Sequence, residues 1–164
     1  MTLRQAAGLG ALVCAGLLGF AYYLQYGRGI EPCPLCLVQR GFYYAVMAIF
    51  VIAALHGRGA LVYGGLAALF AAGGLASAGR QVWLQSLPPE RVPQCGPDLF
   101  YMLDNFPLSR VFKTLLEGTG ECAARDWEFL GLTTAAWSAL WFVALLAYAV
   151  WLAARGSRLR HAAA

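Results

Sequence analysis

The stretch QAAGLGALVCAGLLGFAYYLQYG, residues 5–27, holds no Asp, Glu, Lys or Arg, and three more such runs follow at residues 41–57, 59–79 and 129–154. About 20 apolar residues rising roughly 1.5 Å each cross a hydrocarbon layer about 30 Å thick, so each run has the length of one spanning helix. The second run is the shortest, and its helix is expected to begin earlier, between Pro34 and Leu37, carrying Arg40 at the interface. Gly and Ala recur through all four, which suits helices that pack in lipid through small residues. Composition agrees: 60% hydrophobic residues, 12% charged residues and a mean hydropathy of +0.61 are too apolar for a soluble chain of 164 residues. The expected fold is an all-α membrane protein, a four-transmembrane-helix bundle forming a single domain over residues 1–164. Its spans are expected near 6–26, 37–55, 60–79 and 129–154, with loops at 27–36 and 80–128. The first run follows Arg4 as a secretory signal would, but it is too long and Phe20-Ala21-Tyr22-Tyr23 offers no small-x-small cleavage site. It reads as a retained helix.

An even number of spans places both termini and the turn at residues 56–59 on one side. That side carries Arg4, Arg58, Arg155, Arg158 and Arg160 and no acid. All eight acids lie on the other side, among seven bases, six along the two loops and Arg40 at the interface. Short, dense basic segments mark the cytoplasmic face, so the loops are expected to face outward. Four of the five cysteines, Cys33, Cys36, Cys95 and Cys122, fall in those loops, while Cys14 lies inside the first span as a small hydrophobe. Two cysteine pairs facing one compartment at a bilayer surface are the layout of a protein that carries electrons from thiols to a membrane-soluble acceptor.

Proline is at home in the first turn of a helix, so Cys33-Pro34-Leu35-Cys36 places Cys33 as the cap of the second helix and Cys36 in its first turn. There the unpaired amides and the positive end of the helix dipole favour a thiolate. Arg40 follows Cys36 by four residues and shares its helix face, where a guanidinium can stabilise a thiolate or charge growing on a quinone oxygen. An arginine that only snorkels to the headgroups is the competing reading of Arg40. A zinc site needs two further ligands at close spacing, which Cys95 and Cys122 lack, and haem attachment needs His where Leu37 stands. No metal is expected.

The loop at 80–128 begins with Pro88, Pro89, Pro93 and Pro97 and is expected to rest on the bundle. Leu108, Val111, Phe112, Leu115 and Leu116 recur at helical spacing behind Ser109, with Lys113 on the other face, the pattern of a short amphipathic membrane-surface helix. Tyr22, Tyr23, Tyr26, Phe42, Tyr43, Tyr44, Trp83 and Trp127 read as an aromatic belt at the outer boundary. A bond between Cys95 and Cys122 closes a loop worth about 3.5 kcal/mol of unfolded-state entropy. On spacing alone a structural staple and a redox pair both stand.

These residues resemble one family. Cys33-Pro34-Leu35-Cys36 with Arg40, Gly96-Pro97 after Cys95, and above all Glu121-Cys122-Ala123-Ala124-Arg125-Asp126-Trp127-Glu128-Phe129-Leu130-Gly131-Leu132 are similar to the DsbB family of bacterial inner-membrane oxidoreductases, across nearly the whole chain. The resemblance implies a multi-pass protein with cytoplasmic termini and periplasmic cysteine loops. Its implied partner is a DsbA-like periplasmic thioredoxin-fold oxidase, and its implied acceptor is ubiquinone or menaquinone from the membrane pool, with no nucleic acid involved. This is the route that keeps the bacterial periplasm oxidising, and DsbA, at about -120 mV, is too strong an oxidant for glutathione poise to regenerate. Cys33, Cys36, Cys95 and Cys122 become the catalytic cysteines by this resemblance, with Cys36 and Arg40 at the quinone. Some members carry an acid where this chain has Gln39 and a histidine where it has Gln81, which leaves Arg80 and Gln85 as substitutes for a third-helix quinone contact. A vitamin K epoxide reductase-like enzyme shares the four helices and the quinone-facing Cys-x-x-Cys, but the run after Cys122 argues against it. A disulfide-stapled scaffold or small transporter is the non-enzymatic alternative, and transporters carry ionisable residues within their spans.

Overall fold

The structure, a computed structural model, describes residues 2–92, 104–107, 109–110, 113, 118, 120–125 and 127–161. Cys95 lies outside them, as do Leu108, Val111, Phe112, Leu115 and Leu116 of the expected surface helix.

Helix α1 (Leu3–Tyr22) starts at a capping box, in which Thr2 Oγ1 accepts from the Gln5 amide and Gln5 Oε1 accepts from the Thr2 amide. It widens into a π-turn over Tyr23–Gly27. Helix α2 (Pro34–His56) begins as its sequence dictates: Cys33 is the extended N-cap, Pro34 takes the first helical position, and Gly57 in the left-handed region (φ 67) ends it. Helix α3 (Ala60–Gln85) and helix α4 (Thr134–His161) complete the set. All four are long and apolar enough to cross a membrane, over Leu3–Gly27, Pro34–His56, Ala60–Gln85 and Thr134–Gly156. The chain is an all-α, multi-pass membrane protein.

Two details depart from a reading of charge-free runs. Helix α3 continues past Arg80 because that guanidinium lies over the Trp83 ring, 4.3 Å from its centroid, and leaves the apolar face undisturbed. Gln81 and Gln85 are thereby helical. The start of the fourth run is instead a hairpin, β1 (Glu128–Phe129) paired antiparallel with β2 (Leu132–Thr133). Leu130 and Gly131 turn it with φ of 53 and 76, the double positive φ whose twist fits a two-residue hairpin.

Helix α2 lies between α1 and α3, and α3 packs along α4, while α1 and α4 meet only lightly. Small residues bring α3 onto α4: a Cβ on Gly64 would sit 2.7 Å from the Ala153 nitrogen and 2.8 Å from the Ala149 oxygen. Val46, Phe50, Phe142 and Cys14 fill the core. Tyr43 joins them, stacked on Phe142 with centroids 4.1 Å apart and its hydroxyl donating to the Ser138 carbonyl at 3.2 Å. It is thus a core residue and not part of the belt, because successive helical residues diverge by about 100° and only Tyr44 faces outward.

Candidate active site

Three of the four loop cysteines meet where α2 begins. Cys33 donates its S–H to Cys36 Sγ at 3.1 Å. Cys122 arrives from a 3-10 turn over Gly120–Ala123, is completely buried, and is hydrogen-bonded to Cys33. Leu35 and Leu84 pack around these sulfurs. The loop presses down beside them at Gly118 (φ 76), where a Cβ would lie 2.6 Å from Leu84 Cδ1 and 2.8 Å from Leu35 Cδ1. Helix α3 clasps the same segment through Gln85, whose Nε2 donates to the Ala124 carbonyl at 3.1 Å and whose Oε1 accepts from Thr133 at 2.7 Å. Arg125 closes the clasp on the Gln85 carbonyl at 2.8 Å. Hydrogen bonds with Cys122 and then Cys36, together with burial, push the Cys33 thiol well above the ordinary thiol range.

Beside the sulfurs opens a cavity of about 330 Å³. Leu17 and Phe20 of α1, Leu24 of its π-turn, Cys36, Arg40 and Tyr43 of α2, Gln81 of α3, Trp141 of α4 and the loop residue Trp127 share its wall. The lining is chiefly apolar and aromatic with a few converging polar groups, as in sites for flat organic ligands. Arg40 is anchored to α1: one nitrogen donates to Gln25 Oε1, another to the Ala21 carbonyl at 3.1 Å, and its guanidinium lies 4.9 Å from the Tyr22 centroid. Gln39 and Gln81, both buried, form an amide pair, with Gln39 Nε2 donating to Gln81 Oε1 at 2.7 Å. The Gln81 Nε2 in turn faces Cys33 Sγ at 3.4 Å and Cys36 Sγ at 3.3 Å.

A thiol pair at a helix start, a third sulfur in contact with it and an aromatic cavity beside it form a relay for electrons. Residues 3–152 match the family described as disulfide bond formation protein DsbB. The chain belongs to the DsbB family. It is similar to disulfide bond formation protein B of Chromobacterium violaceum, with 47% identity over 96% of this chain and 97% of the relative. Similarity to the Marinobacter nauticus protein of the same name is 48% over 89% of each chain, and to that of Azoarcus sp. 49% over 85% of each. DsbB proteins are protein-disulfide:quinone oxidoreductases that reoxidise DsbA and transfer the electrons to quinone, and this chain does the same. The cavity fits a quinone ring: it is aromatic, of suitable size, and has a guanidinium and a cysteine sulfur on its wall.

On the third helix, Gln81 and Gln85 both line this cavity. Arg80 is stacked on Trp83, and Gln85 is bound to Ala124 and Thr133, whereas Gln81 reaches the sulfurs. Gln25 was not singled out by the sequence. Its signal, a lone amide in the last turn of an apolar run, acquires meaning only when α2 brings Arg40 beside it.

Proposed function

We propose that Cys33, Cys36, Cys95 and Cys122 are the catalytic cysteines, and that Cys36 and Arg40 face the quinone. The acceptor is ubiquinone or menaquinone, and the donor is a DsbA-like thioredoxin-fold dithiol in the periplasm. The chain acts as a single domain in the bacterial inner membrane, with termini in the cytoplasm and cysteine loops in the periplasm. Its charge asymmetry supports that orientation, since Arg4, Arg58 and Arg155 share the acid-free side. One observation carries the assignment of roles: Cys33 is buried in one cluster with Cys122, while Cys36, one turn on, lines with Cys33 the cavity that holds Arg40 and lies on the Arg40 side of that pair in the helix.

A thiolate of the reduced partner attacks Cys95, breaking a Cys95–Cys122 disulfide and releasing Cys122 as a thiolate. Cys122 attacks Cys33, breaking the Cys33–Cys36 disulfide and releasing Cys36. The partner's second thiol resolves its bond to Cys95 and leaves oxidised. Cys95 then reclaims Cys122, freeing Cys33. Cys33 and Cys36 give up two electrons and two protons and close their disulfide again. A quinone supplies the acceptor for those electrons and protons, and Arg40 favours negative charge on its oxygen.

Turnover of a reduced DsbA-like protein with decylubiquinone tests this reading. Cys33→Ser and Cys36→Ser abolish it, and Arg40→Ala raises the quinone KM about tenfold, the size of one lost charge-assisted hydrogen bond. Unchanged turnover in Cys33→Ser would refute the assignment.

A further inference from the structure

The amide pair of Gln39 and Gln81 has no part in the steps above. Both side chains are about nineteen-twentieths buried, at 5% and 4% exposure, in a wall that is chiefly apolar. Burying amides in such a place costs free energy unless each finds a partner, and here the partners include sulfurs. Gln39 Nε2 donates to Gln81 Oε1 at 2.7 Å, which occupies the oxygen end of the Gln81 amide. That oxygen also lies 3.6 Å from Cys36 Sγ, close enough to accept from its thiol, while the nitrogen faces both sulfurs. The nitrogen lies 3.4 Å from Cys33 Sγ and 3.3 Å from Cys36 Sγ. Arg40, the nearest cation along α2, spends its hydrogen bonds on Gln25 and the Ala21 carbonyl of α1. Cys36 Sγ instead receives the Gln81 amide and the Cys33 thiol.

We propose that Gln81 is a further catalytic residue, whose amide N–H groups stabilise the negative charge on Cys36 when its disulfide with Cys33 opens, and that Gln39 is a positioning residue that keeps those N–H groups aimed at the sulfurs. This rests on the assignment of Cys36 as the sulfur released toward the quinone. A neutral donor suits that task better than a second cation: it lowers the cost of a thiolate in an apolar wall without adding a charge that must be buried when the disulfide is closed. The orientation also matters: the nitrogen, at 3.3 Å, is nearer to Cys36 Sγ than the oxygen, at 3.6 Å, and the same amide turned end for end brings the oxygen closer and repels a thiolate.

The test uses the full-length protein carrying Cys33→Ser, so that Cys36 has no disulfide partner in its own pair. Alkylation of Cys36 by iodoacetamide at one neutral pH is followed by peptide-resolved mass spectrometry, and visible absorption is recorded after adding decylubiquinone. With Gln81 intact, Cys36 alkylates fast and the thiolate beside the quinone gives an absorption band. Gln81→Met, similar in length but without a donor, slows alkylation about five- to tenfold and weakens the band; the slowing is smaller than the loss of thiolate because a less stabilised thiolate is a better nucleophile. Gln39→Met leaves the Gln81 amide free to turn and slows alkylation about threefold. Alkylation within twofold of the parent in Gln81→Met would overturn the role of Gln81, and parental behaviour of Gln39→Met beside a slow Gln81→Met would overturn the role of Gln39. Should Gln81→Met fail to fold, Gln39→Met decides the question alone. Slow alkylation and no band with Gln81 intact would instead refute the assignment of Cys36.

Discussion

A thiol held above its ordinary range stays protonated where a free cysteine has begun to ionise, and Cys33 is such a thiol. The sign follows directly. At every pH below its raised value the reactive thiolate fraction of Cys33 is smaller than that of an unperturbed cysteine, so its alkylation in the fully reduced protein climbs with pH and shows no plateau through about pH 9. Peptide-resolved iodoacetamide labelling over a pH series measures this, and a plateau near pH 8.5 would contradict the thiol cluster. Cys122→Ala removes the largest cause of the shift, the hydrogen bond with Cys122, and accelerates labelling of Cys33 severalfold at fixed pH. A protonated Cys33 beside Cys36 also accounts for the direction of the bond between them, with Cys33 donating.

At the scale of the element, α3 carries the sharpest contrast between neighbouring positions. Gly64 lies against the backbone of α4 at Ala149 and Ala153, whereas a Cβ on Gly65 meets nothing within 4 Å. Gly64→Ala is expected to cost about 1–3 kcal/mol by forcing the helices apart, and Gly65→Ala to be neutral or stabilising by up to about 1 kcal/mol through helix propensity. Thermal unfolding in mild detergent separates the two, and equal effects would deny the close seam. All four helices were legible in the sequence because long apolar runs leave little else for the chain to form in lipid, and Pro34 announced the start of α2. The meeting of Gln39 with Gln81 was not legible, since it depends on how far α2 and α3 are rotated about their own axes. Arg80 misled for a simpler cause: a charge reads as the end of a span, and a neighbouring Trp83 that lets it fold back is visible only in three dimensions. The hairpin at Glu128–Thr133 hid within an apolar run because Leu130 occupies a turn position that usually announces itself with Asn, Asp or Gly.

For the whole molecule, the cavity beside Cys36 is walled by α1, α2, α3 and α4 together, so a bound quinone braces the bundle at its cysteine-bearing end. A ligand that binds only the folded state at a hundred times its Kd adds about 2.7 kcal/mol. Decylubiquinone is therefore expected to raise the unfolding temperature of the parent protein and to raise it less in Arg40→Ala; no shift in the parent at saturating quinone would count against the cavity as the binding site. The light meeting of α1 with α4 bears on how such a guest arrives. Trp141 lines both this cavity and a second, smaller one lined by Leu9, Val13 and Tyr148, farther along the same pair of helices. Two hollows thus meet at Trp141 along one flank of the bundle, the side from which an oxidant with a long isoprenoid chain can bring its head to the sulfurs while the chain stays among the lipids.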